Sequence, residues 1–229
     1  MNKFTYFDFI AYIVPGVLLL GAISVLIRSS NFILITGNPA IDTLLFLIIG
    51  FTVGALFHQL SRYSVEPVVK RLFWHGRFYS DIYLVKRYEL CQDPLRAQIM
   101  DTAESFFNFD STSLSALDSG AVTEQSPDPH VVSHQLFRRF DYYTMDNDLA
   151  KKGHLANAFY SLYRGMTLMT FVLAILFAIS LLWDASVIGP SSKVVFAVLS
   201  FLASIVFLIR TRNEGERYVQ GVVLPLSKG

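Results

Sequence analysis

Four stretches of the chain, 9–27, 43–61, 166–183 and 194–209, contain no Asp, Glu, Lys or Arg. Within them apolar residues fall on nearly every side of a 3.6-residue helix, not along the single stripe of a helix resting on a soluble core. Each approaches the ~20 residues that carry a helix across ~30 Å of hydrocarbon at ~1.5 Å per residue. The pattern predicts four transmembrane helices in an all-α, multi-pass membrane protein. The run 194–209 is the shortest. Arg210 extends it by placing its charge among headgroups while its methylene stem stays in the apolar zone. The first run is longer than the 7–15-residue core of a secretory signal, contains Pro15-Gly16 and lacks an Ala-x-Ala site. It is expected to be retained.

The charged positions are concentrated between the second and third runs, where 62–164 holds 12 basic and 13 acidic residues. The chain therefore divides into helices 1 and 2 (1–61), a helical cytoplasmic domain inserted between helices 2 and 3 (62–164), helices 3 and 4 (165–210) and a tail (211–229). Within the domain, "SVEPVVKRLFWHGRF" continues the second span as a helix bent near Pro67. Its Lys70, Arg71 and Arg77 suit either an ordinary basic flank or anionic lipid headgroups. Asp93-Pro94 reads as N-cap and first residue of a helix reaching about Phe107. Residues 110–129, rich in Ser, Asp, Gly and Pro, read as a flexible segment. Residues 130–164 return to helix, with a break expected at Asp146-Asn147-Asp148. No period-2 strand pattern and no internal repeat is present.

Orientation follows from Lys and Arg. The connections 29–42 and 184–193 contain only Lys193, with Arg28 at the border of the first span. Lys3, the central segment and Arg210, Arg212, Arg217 and Lys228 all fall on the other side. Both termini and 62–164 are expected in the cytoplasm, with the spans in a bacterial inner membrane. Phe4, Tyr6, Phe7 and Tyr12 fit an inner aromatic belt and Trp183 an outer one.

Composition narrows the chemistry. Hydrophobic residues make up 53% of the chain and charged residues 16%, against about a quarter charged in soluble proteins. The net charge of +1 gives no footprint for direct nucleic-acid binding. Cys91 is the one cysteine, so neither a disulfide framework nor a Cys-rich zinc site can form. No nucleophile elbow, Walker loop, dinucleotide fingerprint or paired-carboxylate signature occurs. No cofactor is expected, and the chain reads as a non-enzyme. Asp8, Asp42 and Asp184 lie at span ends, and no second-half feature matches Pro15-Gly16, which argues against a coupled transporter.

The polar residues that stand out are few. Gly50 and Gly54, four apart, let helix backbones approach closely. The seam they form serves either self-association around a pore or packing within one four-helix subunit. Ala174/Ala178 and Ser200/Ser204 are similar pairs. His58 and Ser61 fall on roughly the glycine side of the helix. Gly50, Gly54, His58 and Arg62 are thus the candidate oligomer seam and cytoplasmic mouth. His58 also fits plain interfacial anchoring. Asp8, His58 and Arg62 form the cytoplasmic-edge group that a lipid-modifying enzyme would need. His130-x-x-x-His134 has the spacing of two imidazoles on one metal, although a surface pair explains it equally. No metal site is assigned.

In layout the chain resembles small bacterial four-helix inner-membrane effector and accessory proteins of anti-phage defence modules, associated with CRISPR, cyclic-nucleotide or retron systems. The resemblance lies in "FDFIAYIVPGVLLL", "GFTVGALFHQLSR" and "RTRNEGERYVQGVV". It implies an oligomeric, channel-like effector that perturbs the membrane when a cytoplasmic signal or protein partner arrives. A non-conducting membrane adaptor is the alternative. Expected partners are membrane lipids, further copies of the chain and a cytoplasmic protein.

Overall fold

A computed structural model describes residues 6–26, 37–119, 127–147, 149, 151–182 and 188–227. Among the described residues all regular structure is helical. Helix α1 is Tyr6–Leu26, α2 Pro39–Phe73, α3 Tyr79–Ile82, α4 Asp93–Ser105, α5 Ser111–Ser119, α6 Pro129–Asp146, α7 Lys151–Ser180 and α8 Pro190–Val223. Four of them, α1, α2, α7 and α8, are long and apolar enough to cross a membrane. The 30 to 35 residues of α2, α7 and α8 extend about 45–52 Å at ~1.5 Å per residue, well beyond a hydrocarbon core of ~30 Å. Pro15 and Pro67 are both accommodated inside continuous helices.

The chain forms two compact units. The apolar unit is Met1–Val69 with Ala158–Arg212, and the polar unit is Lys70–Asn157 with Asn213–Gly229. In the apolar unit α7 is central: its apolar stretch is the most buried of the four and that of α8 the least. Leu19 of α1 and Met166, Met169, Leu173 and Phe177 of α7 make the core, with Val53, Phe57 and Phe207 packed around it. The opposite faces carry Leu44, Ile48, Phe171, Val195, Leu199 and Leu202 in the open. Helices that expose such side chains in rows are suited to lipid as their solvent.

The polar unit has an ordinary buried core, with Ile82, Ile99, Leu117, Leu136, Phe140, Val222 and Val223 each 1% exposed or less. Here α3 and α5 pack on α6, and α4 packs on the turn Leu224–Ser227. Two expectations change. The tail expected at 211–229 begins inside α8 and supplies Val219, Val222, Val223 and Leu226 to this core. Their i, i+3, i+4, i+7 spacing is a helical stripe. Trp74 Nε1 donates to Glu216 at 3.3 Å, and the Phe137 and Tyr218 rings meet edge-on at 5.5 Å. The segment 110–129, expected to be flexible, contains α5. Leu114, Ala116 and Leu117 are buried there. Asp110 accepts the Ser113 N–H at 3.3 Å, and its carboxyl is held low chiefly by the Thr112 hydroxyl. Residues 120–126 lie outside the described residues.

Helix α4 begins at Asp93 with Gln92 as N-cap and without a side-chain cap, one residue earlier than expected. The break at Asp146–Asp148 is present, since α6 ends at Asp146 and α7 starts at Lys151.

Candidate functional site

The site is built on the packing of α1 against α2. A Cβ added at Gly16 would run into the Gly50 carbonyl, and one at Gly54 into the carbonyl of Tyr12. A Cβ at Gly50 would come within 2.7 Å of Val17 Cγ2. The two backbones are therefore in direct contact, the geometry that small residues permit in lipid. Within one chain Gly50 and Gly54 thus serve helix packing, the alternative to an oligomer seam. Helix α1 of the same chain occupies that face, leaving no room for the backbone of a second copy.

The same α2 stripe continues through His58, Ser61 and Val65. One turn before Gly16, Tyr12 lies edge-on to His58 at 4.8 Å and to Phe51 at 5.7 Å. The group that organises this end of the apolar unit is Arg164 on α7, only 6% exposed. Its Nη1 donates to Glu66 Oε2 at 2.6 Å, its Nε to Ser61 Oγ at 3.3 Å, and its Nη2 faces His58 Nε2 at 3.4 Å. The guanidinium also lies 5.3 Å from the Tyr160 ring. Ser61, fully buried, donates in turn to the His58 carbonyl at 2.8 Å. Because a guanidinium only donates, the His58 ring accepts at Nε2, which puts its ring proton on Nδ1.

The cluster falls where two apolar runs end, since 43–61 stops at Ser61 and 166–183 starts two residues after Arg164. Burying an ion pair there gains little. The desolvation of both charges offsets most of their attraction, yet removing one partner leaves the other stranded at about 3–5 kcal/mol. Such a pair fixes the helices in one register more than it adds stability.

His58 joins this cluster, whereas Arg62, expected beside it at a mouth, is exposed. The buried cation beside His58 is Arg164. A signal for it exists, because Arg164 is the sole Asp, Glu, Lys or Arg between Lys152 and Asp184. Glu66, close to Pro67 and among basic residues, gave no such cue. The side chain of Asp8 lies outside the described residues, as does Trp183.

In the polar unit, His130 and His134 both turn to α3. His134 Nδ1 meets Asp81 Oδ1 at 2.9 Å, and His130 Nδ1 lies 3.3 Å from the Asp81 carbonyl. Both rings are engaged by Asp81, and no group of metal-ligating side chains occurs among the described residues. Cys91 is buried, and burial pushes its thiol up. A second polar group, half-buried, gathers Asp141, His154 and Tyr218. Burial raises the Asp141 carboxyl, against the Tyr218 hydroxyl that donates to it and the positive field of His154 and Arg138. The His154 Nδ1 to Asp141 Oδ1 distance is 3.9 Å.

Among the described residues, fold and site define a helical protein with four helices long and apolar enough to cross a membrane and a buried charge cluster at the end of the apolar unit. The chain matches no known protein-family model, no curated protein and no solved structure.

Proposed function

We propose that this chain is a non-enzymatic, multi-pass protein of the bacterial inner membrane. Both termini lie in the cytoplasm, and the protein acts as a homo-oligomeric, channel-like effector in antiviral defence. A cytoplasmic signal or protein partner engages the polar unit, and the apolar unit then disturbs the bilayer.

The observation that carries this reading is the Arg164–Glu66 pair with Ser61, His58 and Tyr160 around it. An ion pair that adds little net stability but fixes helix register is suited to a two-state element. The four apolar helices support membrane residence. The core of Leu19, Met166, Met169, Leu173 and Phe177 is filled by side chains, so conduction requires several copies around an axis.

That filled core also favours the second reading, a non-conducting membrane adaptor that recruits a cytoplasmic protein. Dye or ion release from proteoliposomes separates the two. The effector reading expects wild-type protein, alone or with the product of a neighbouring gene, to release contents, and Arg164→Ala to change the rate at least fivefold. Tight liposomes under every condition would leave the adaptor.

A further inference from the structure

Helix α6 carries a row of exposed side chains four residues apart: Arg138, Tyr142 and Asp146. Residues at that spacing stand along one ridge of a helix. Tyr142 is 56% exposed, and Phe106, which meets the Tyr143 ring edge-on at 5.0 Å, is 58% exposed. The chain turns at Asn108 (φ 50°), with Phe107 against Phe140 at 5.1 Å and Phe106 left outside. Met145 of α6 is exposed as well. All of these belong to the polar unit. There burial of apolar surface drives association, and aromatic residues, Met and Arg are what protein interfaces concentrate.

The order of charges along the ridge identifies the partner. Arg138 lies one turn before Tyr142, and its Nη2 donates to the Tyr142 hydroxyl at 3.2 Å. Asp146 lies one turn after it and ends α6, where the partial negative charge of the helix terminus disfavours a carboxylate and welcomes a cation. Both charges stand four residues from the ring, about 6 Å along the axis at ~1.5 Å per residue. A two-fold rotation about Tyr142 therefore lays a second α6 antiparallel on the first and sets each Arg138 opposite Asp146 of the partner subunit. An isologous contact requires a patch that is complementary to itself in this way. Arg139, the other cation of the face, lies over the Phe109 ring at 4.7 Å and donates to the Phe107 carbonyl at 3.0 Å.

We propose that the α6 ridge binds a second copy of this chain, with Tyr142 at the two-fold axis, Phe106 and Met145 beside it, and two Arg138–Asp146 pairs fixing the register. The apolar side chains supply the drive, while exposed ion pairs add little affinity and set orientation. The glycine face of α2 is filled by α1 of the same chain, which leaves contact between copies to another surface. The inference deepens the proposed function by placing one such contact in the polar unit, and it rests on that reading for its consequence but not for the contact itself.

The test is the oligomeric state of the full chain in detergent, read by sedimentation, with variants at these exposed positions. The wild-type chain is expected to dimerise. Arg138→Glu and Asp146→Arg each set like charges against one another twice by symmetry and should weaken association about tenfold or more. The two changes together restore both pairs and should return association to within about threefold of wild type, a rescue that no folding defect imitates. Tyr142→Cys should form a disulfide between copies on oxidation, because a residue on a two-fold axis meets its own equivalent, and the native Cys91 is buried. A wild-type chain that stays monomeric, association indifferent to the charge variants, or a double variant as weak as the singles overturns the proposal. A monomeric chain that instead holds a cytoplasmic protein, released by the same variants, assigns the ridge to that partner and overturns it equally. Dimers that form while proteoliposomes stay tight remove the effector reading and leave this one standing.

Discussion

The two units hold charge in opposite ways. In the apolar unit Arg164 and Glu66 meet at 2.6 Å, and Ser61 and His58 take up further guanidinium donors. In the polar unit Asp141 is half-buried beside a hydroxyl and an imidazole 3.9 Å away, and its carboxyl is raised. The first arrangement matches charge with charge where water is scarce. The second leaves a carboxylate under-compensated where water is near, so it titrates. The lesson is that a charge sealed inside an apolar unit is matched by a counter-charge, whereas a half-buried one can stay half-served and become pH-sensitive.

The contrast can be broken most forcefully at the C-terminus. Deleting residues 213–229 removes Val219, Val222, Val223 and Leu226 from the polar core. At about 1.5–3 kcal/mol for each buried side chain, the loss rivals the 5–15 kcal/mol that holds a domain together. The polar unit should become protease-sensitive while the spans remain membrane-inserted. Resistance of 70–157 to limited proteolysis would contradict its dependence on α8.

Arg164→Ala comes next. It strands the buried Glu66 carboxylate and should cost the apolar unit about 3–5 kcal/mol, read as a fall in thermal midpoint in detergent. The double change Glu66→Leu with Arg164→Met should recover most of that loss, because an apolar pair pays no desolvation. If the double variant is as unstable as the single, the pair contributes more than register.

Gly54→Leu drives a side chain into the Tyr12 carbonyl and should separate α1 from α2. The overpacking cost is about 1–3 kcal/mol or more. Crosslinking between cysteines placed on α1 and α2 reads the separation within one chain. If crosslinks between chains are lost and those within the chain are retained, Gly54 serves an oligomer after all.

The smallest effect sharpens the polar side of the comparison. A carboxyl whose folded pKa is raised binds its proton more tightly in the folded state. Asp141 therefore costs nothing well below the unfolded value near 3.9 and weakens the fold progressively as pH rises through and above it. Asp141→Asn keeps an acceptor for Tyr218 and removes this dependence. Melting curves between pH 4 and 7 should be flatter for the variant, with neutral-pH stability equal or higher. An unchanged pH profile would assign the titration elsewhere.

Much of the fold was legible because lipid imposes a coarse, one-dimensional rule. Uncharged runs of helical length revealed all four long apolar helices, and Asp146-Asn147-Asp148 marked a real helix boundary. The helix at Ser111–Ser119 was hidden because its buried face rests on Leu114, Ala116 and Leu117 amid Ser and Thr, too few positions for periodicity to register. The role of 213–229 was hidden because Arg210, Arg212, Arg217 and Lys228 look like a cytoplasmic tail until Val222 and Val223 find a core. At the site, glycine spacing foretold close approach but not the partner.

What residue order settles unaided is the division between segments that suit lipid and segments that suit water, since transfer free energy accumulates residue by residue along a helix. The partner of each polar group is decided only in three dimensions. Arg164 reaches Glu66 across nearly a hundred intervening positions, and Gly54 meets the Tyr12 carbonyl of its own chain. Pair interactions depend on distances of a few ångströms between residues remote in sequence, and composition and spacing carry no record of those.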